Sequence, residues 1–276
     1  MADQPKRHHV VPQFYLRGFA LTERLTAVQL SDGRRFPTVV RKAASETHFY
    51  RLAPDHRSGP LALENAFSRL EDDAAAILKR IIDGLWPLNF HGRRQLSFFI
   101  AVQLLRGPRF RGALEASGAI GTNGNGSAMT AIDMHAHQIA TLAEEWMPQL
   151  VDRPWSLVRF TNRSLITSDS PVSSTPPLNY DAGRWAGAPF ADAKEVLYPI
   201  NRKIGLMMRD RNQISGFDRQ RRTQEGVFDQ IRSGTVRLEQ HFNRSTAETA
   251  TRCLYHHPSD AKFVPPEVPE PPSVGS

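Results

Sequence analysis

The chain has 276 residues, 40% apolar and 23% charged, a balance ordinary for a globular protein with one sizeable core or two modest ones. No apolar run approaches the roughly 20 residues that cross a bilayer, the first residues lack the apolar core of a secretory signal, and the single cysteine, Cys253, excludes a disulfide framework or a cysteine-based zinc site, so a cytoplasmic setting without a membrane partner is expected. The formal charge of +7 invites a nucleic-acid partner, but six of the 35 basic residues are lysine, and 29 arginines in an alanine-rich chain reflect base composition as readily as a ligand.

Near its start the chain carries Lys6-Arg-His-His-Val-Val-Pro-Gln-Phe-Tyr-Leu-Arg-Gly-Phe19. This reads as an extended run, His8 to Val11, feeding a short helix that opens at Pro12. Proline at the first helical position forfeits no hydrogen bond, and Gly18 can take the left-handed turn that ends the helix. The histidine pair then precedes a helix N-terminus, whose positive dipole end disfavours imidazolium. Neutral imidazole can accept a proton or bind a metal. The plainer alternative is that Phe14, Tyr15 and Phe19 dock the segment into a core and the histidines cap it.

Leu25 to Leu30 and Phe36 to Val40 flank an Asp-Gly pair and predict a hairpin. An aromatic pair, Phe49-Tyr50, and a polar loop, Ala53 to Pro60, lead to a helix over about 61–83. Its apolar stripe is Leu63, Phe67, Leu70, Ala74, Ile77 and Ile81. Glu64 and Glu71 lie along the edge of that stripe, where carboxylates border a cleft or solvent. The next helix, about 93–106, is apolar on every side and predicts burial on all faces. Gln103 falls on its buried face, and an unpaired buried amide costs about 1–3 kcal/mol, so it requires a partner. Arg106 follows at the edge, where a guanidinium seeks a carboxylate or a bound anion. Glu64 and Glu71 are the internal candidates, and a Gln–Arg–Glu network that fixes helix packing is equally consistent with the pattern.

Ser117 to Ser127 is a glycine-rich connector that lacks the terminal Lys-Ser/Thr of a phosphate-binding loop. A helix over about 129–150 carries Ile132, Ile139, Leu142, Ala143 and Trp146 on its apolar side. Asp133, His137 and Glu144 line the opposite, solvated side, so no metal site is expected there. From Pro154 the pattern changes to strands at 155–160, 164–167, 196–200 and 204–208, the first two joined as a hairpin around Thr161-Asn-Arg163. The second ends in Thr167-Ser-Asp-Ser-Pro-Val172, whose hydroxyls and carboxylate suit either chemistry or a turn. A loop rich in proline and glycine, 173–193, is long enough to cover a cleft. Residues 219–252 read as mostly helical, with Asn243 breaking the polar surface. From Pro258 the chain is proline-rich and expected to be extended and disordered.

These segments together resemble the DUF4238 family, a set of mainly microbial proteins of unknown function. The likeness runs from His9 to Phe19 through Glu46-Thr-His-Phe-Tyr50, the helix with Glu64 and Glu71, Gln103-Leu-Leu-Arg106, Ile166-Thr-Ser-Asp-Ser-Pro-Val172 and Leu197-Tyr-Pro-Ile200 to Asn243. Gly18 and Ser170 stand where the family pattern commonly has asparagine, and at 170 that changes any hydrogen bond made there. The resemblance implies no reaction, only that polar residues from distant segments recur together. The His-His-Val-Val-Pro string also resembles the opening of His-Asn-His nucleases. That likeness fails downstream, because no asparagine lies between Val10 and Glu64 and the next histidine, His48, is too far away.

The expected fold is α+β, a mainly helical N-terminal half packed against a small, mostly antiparallel sheet in the C-terminal half, because strands and helices do not alternate. One domain over 1–257 is expected, followed by a tail, 258–276. The expected site combines His9, Asp169 and Glu71 as catalytic residues with Arg106, Gln103, Arg17, Gln13, Ser168 and Asn243 as substrate-binding ones. On this reading the protein hydrolyses a phosphodiester or other anionic substrate, a small molecule or nucleic acid. His9 is the base, Asp169 orients it or holds a metal, and Arg106 neutralises developing negative charge. The alternative is a non-catalytic ligand- or partner-binding module using the same cluster. The sequence names no cofactor.

Overall fold

The opening motif divides at Pro12. Ahead of it, strand β1 (Arg7–His9) precedes the buried pair Val10 and Val11; after it, helix α1 (Gln13–Leu16) passes directly into a 3-10 turn, Arg17–Phe19. The structure, a computed structural model, describes residues 7–47, 62–116, 131–175 and 190–267. Tyr15, Leu16 and Phe19 are buried with the valines, so the apolar half of the motif is core. Gly18 does not take the left-handed turn expected of it. It lies within the 3-10 turn, where a Cβ would sit 2.9 Å from the Cβ of Asn201, so the glycine is required by close approach.

Strands β2 (Arg24–Gln29) and β3 (Arg35–Val39) form the antiparallel hairpin that the Asp-Gly pair predicts, with Gly33 at φ 68°. Strand β4 (Ser45–Thr47) then returns to pair antiparallel with β1. Helix α2 (Ala62–Ile82) buries Phe67, Ala74, Ile77, Leu78 and Ile81 at helical spacing. Helix α3 (Phe90–Leu105) starts at Asn89, whose Oδ1 accepts from the Gly92 N–H at 2.9 Å. Its buried residues surround the axis, as its apolar sequence demands, and it packs on α5 (Ala131–Val151) beyond the shorter α4 (Pro108–Ala116). On α5, His137 and Glu144 are exposed. No group of three metal-ligating side chains occurs among the described residues.

The remaining strands are β5 (Trp155–Arg159), β6 (Thr167–Ser168), β7 (Ser173–Thr175), β8 (Glu195–Asn201), β9 (Ile204–Arg209), β10 (Gln230–Ser233) and β11 (Cys253–His256). Helices α6 (Arg219–Gln224) and α7 (Val236–Thr249) flank β10. One sheet has the order β10-β5-β9-β8-β7, antiparallel except where β10 joins β5. A second has the order β3-β2-β11-β6 and is antiparallel throughout.

Three sequence expectations are corrected here. The strands around Thr161–Arg163 are not a hairpin, because the Leu165 N–H goes to the Arg202 carbonyl and the Ile166 N–H to Asn243 Oδ1, carrying the chain into the second sheet. Residues 219–252 are not one helical stretch, since β10 interrupts them to extend the first sheet. The segment from Pro258 is ordered at its start: a 3-10 helix, Pro258–Phe263, pairs Asp260 with Arg202 at 2.8 Å and buries Phe263 and Val264.

The fold is α+β. Its sheets draw on both halves of the chain, because the β2–β3 hairpin supplies two strands of the second sheet. No described helix is long and apolar enough to cross a membrane. The aromatic pair Phe49-Tyr50, the loop 53–60, the connector 117–127, most of the loop 173–193 and the tail beyond 267 lie outside the described residues.

Candidate functional site

The polar residues of the opening motif emerge on the side opposite its core face. Gln13 and Arg17 are one helical turn apart, and His9 precedes them at the end of β1. Helix α2 presents Ser68, Glu71, Asp72 and Ala75, which share a face at spacings of three, four and seven. Together with Phe14, these residues line an open hollow of about 270 Å³.

Glu71 is held from below. Arg106, fully buried at the end of α3, donates from Nη1 to Glu71 Oε1 at 2.8 Å and from Nε to the carbonyl of Val10 at 2.8 Å. Gln103 satisfies its amide with the oxygen turned to the same guanidinium, accepting from Nε at 2.7 Å and Nη2 at 2.9 Å. The Phe67 ring lies 5.3 Å from the guanidinium carbon, which adds a cation–π contact. A charge this buried requires such pairing, since an unpaired one is strongly destabilising. The role expected of Arg106, neutralising a substrate's charge, is therefore corrected: its donors are committed within the protein and it does not line the hollow.

His9 is pinned by the β1–β4 pairing and by the Val10 N–H, which donates to the Ala44 carbonyl at 2.9 Å. The ring lies close to the backbone of Arg41 and Val40, and its Nε2 is buried without a partner. Burial pushes the His9 pKa down from 6.5, and Arg106 adds to that; Glu71 and the backbone bonds oppose it. Neutrality at His9 is thus a matter of desolvation, where the sequence pointed to a helix dipole. Arg17 is at the rim, paired with Glu23 at 2.6 Å, each side chain about half exposed.

Three expected site residues lie elsewhere. Both oxygens of Asp169 accept backbone N–H groups, from Thr251 at 2.9 Å and Arg252 at 2.7 Å, at the start of β11. That carboxylate neither lines the hollow nor orients His9; it ties β6 to β11, and burial pushes its pKa up to about 6. Ser168 Oγ accepts from the Ser170 N–H at 3.0 Å and shapes a turn. Asn243 accepts from the Ile166 N–H at 3.0 Å and donates to the carbonyls of Ser164 and Phe263, so it splices strand, helix and C-terminal turn. One bond still joins this region to the motif: Tyr15 Oη lies 2.9 Å from Thr167 Oγ1 and donates to the Pro199 carbonyl at 2.7 Å.

Sequence reasoning missed Ser68, Asp72, Phe14 and Ala75 as lining residues. The signal for the first two was available in their spacing from Glu71, one turn back and one residue on. A family model described as "Protein of unknown function (DUF4238)" matches residues 7–125 and 120–260. No curated protein and no solved structure matches.

Proposed function

The chain belongs to the DUF4238 family, and from that premise we propose that the hollow over His9 and Glu71 binds a small polar molecule. The observation that supports this most is the Glu71 carboxylate, which lines an open hollow and is held there by the buried Arg106 and Gln103. His9 lines the same hollow, with its Nε2 buried beneath the surface. Glu71, positioned by Arg106 and Gln103, contributes a preoriented carboxylate beside it. Gln13 and Ser68 add groups that can donate or accept. A cytoplasmic setting belongs to this reading.

A second reading is hydrolysis with His9 as general base, which its lowered pKa favours. A neutral imidazole can take a proton from water or a hydroxyl in the hollow once its ring turns Nε2 toward that space. Asp169 and Arg106 play no part in this version, so the imidazole works beside Glu71 alone. Nucleic acid finds less support as a substrate, because Glu71 and Asp72 face the space its phosphates would enter.

The test follows the His9 ring by NMR in the full chain during a screen of small polar compounds. Ligands should move its signals saturably in the wild type and lose affinity in His9→Gln. Equal affinity in the variant would overturn the binding reading. Phosphodiesterase and esterase assays, with and without magnesium, address hydrolysis; equal turnover by wild type and His9→Gln would exclude His9 as the base.

A further inference from the structure

We infer that the open edge of β10 receives an extended segment of a partner protein in which acidic and apolar residues alternate. This surface is separate from the hollow, since none of its residues lines that space.

β10 ends its sheet: it pairs with β5, and no strand lies on its other side among the described residues. The Gly234 N–H donates to the Arg159 carbonyl on β5 at 2.7 Å. Bonding direction alternates along a strand, so Ile231 and Ser233 turn their N–H and carbonyl groups to the open side. An unpaired row of this kind is a template for a further strand. Side chains alternate as well, which puts Ile231 on the same sheet face as Asp229 and Ser233. Asp229 pairs with Arg93 on α3 at 2.6 Å. Arg159, the register partner of Ser233, donates to the Ile81 carbonyl on α2 at 3.0 Å. Ile231 therefore lies beside the α2–α3 junction, and Arg232 stands on the opposite face.

Apolar groups are uncovered around that junction. Ile82, Leu85, Val227 and Ile231 are half of the large apolar side chains exposed among the described residues. Gly226, next to Val227, comes so close to the junction that a Cβ there would sit 2.8 Å from the Pro87 Cβ. One side of an added strand thus meets apolar surface. The charges on the two stretches, 79–93 and 221–233, do not balance. Asp83 is taken by Lys79 at 2.5 Å, Glu225 by Arg221 at 2.9 Å and Asp229 by Arg93. Arg80, Arg222 and Arg232 are exposed and have no carboxylate partner among the described residues. A second copy docked about a two-fold axis would bring these arginines against themselves, whereas an acidic segment neutralises them. Arg232 on one face of the edge and Ile231 on the other set the alternation.

The experiment titrates the full chain into three labelled probes and follows fluorescence anisotropy: a hexapeptide alternating glutamate and valine, its lysine–valine counterpart, and a short oligothymidylate. The glutamate peptide should bind saturably and more tightly than the other two. Ser233→Pro removes an outward N–H and should weaken its binding about two- to tenfold, the scale of one hydrogen bond. Arg232→Glu should weaken it about two- to fivefold, the scale of an exposed ion pair. Arg232 is exposed, so this variant keeps its fold and decides alone if the proline variant does not. Equal affinity in either folded variant would overturn the proposal, as would a glutamate peptide that never saturates. Equal or tighter binding of the lysine peptide or of oligothymidylate would overturn it too, the latter in favour of nucleic acid. Self-association in sedimentation velocity that Ser233→Pro abolishes would overturn it in favour of a second copy.

Discussion

Arg106 meets Glu71 from full burial, its Nη1 2.8 Å from Oε1, while its Nε bonds the carbonyl of Val10, the residue that follows His9. One guanidinium thus ties the opening motif, α2 and α3 together at the floor of the hollow. The distance between imidazole and carboxylate is set by a side chain that never reaches solvent.

This clamp predicts strong coupling. Arg106→Met leaves the Val10 carbonyl and the Gln103 amide short of donors, and Glu71→Gln leaves a buried guanidinium without its counter-charge. Each should cost about 3–5 kcal/mol in a denaturant titration. The double variant should recover part of the summed loss, because neither partner is then left charged and alone. Simple additivity would show that the ion pair is not what holds the clamp.

Gly18→Ala should destabilise by about 1–3 kcal/mol, the range for forcing extra volume into packed structure. Its new Cβ would lie 2.9 Å from the Cβ of Asn201, next to the backbone rather than at a flexible tip. A thermal midpoint equal to wild type would show that the contact can relax without cost.

Asn243→Ala should lower stability by about 3 kcal/mol, since it strips partners from buried backbone groups of Ile166, Ser164 and Phe263. The His9 ring signals of the folded variant should stay where they are, because Asn243 bonds strand, helix and turn far along the chain from the motif. A shift of those signals would place Asn243 in the site after all.

Two buried groups give stability opposite dependences on pH. The His9 pKa is lowered by burial, so its contribution is present above 6.5 and is lost as pH falls through the folded value. The Asp169 pKa is raised from 3.8 to about 6 by burial, so its contribution is present below 3.8 and is lost as pH rises through about 6. In stability–pH profiles, His9→Gln should reduce the acid-side loss, and Asp169→Asn should reduce the decline between those two values. Profiles parallel to wild type in both variants would contradict the burial argument.

Much of the helical structure was legible because it is local. The stripe on α2, the all-round apolar run of α3 and the Asp-Gly turn each rest on residues close in sequence, and each formed as read. The paired role of Arg106, Gln103 and Glu71 was also legible, since a buried guanidinium and amide beside an acidic helix edge leave few alternatives. What misled was the Thr161–Arg163 turn. Apolar strands on either side of a polar turn fit a hairpin equally well, but the Ile166 N–H found its acceptor on α7, a residue 77 positions away.

The sequence by itself determined which residues must be buried and which charges must be paired, since both follow from the cost of placing polar groups or water against apolar surface. It also determined the backbone demands of Pro12 and the Asp-Gly turn. Only the tertiary structure decided which polar residues share a space. His9, Glu71 and Arg17 meet at one hollow, while Asp169, Ser168 and Asn243 are used up on backbone groups between strands. The physical reason is that a carboxylate, hydroxyl or amide bonds a nearby main chain as readily as a substrate, and the packing of distant segments alone determines which is within reach.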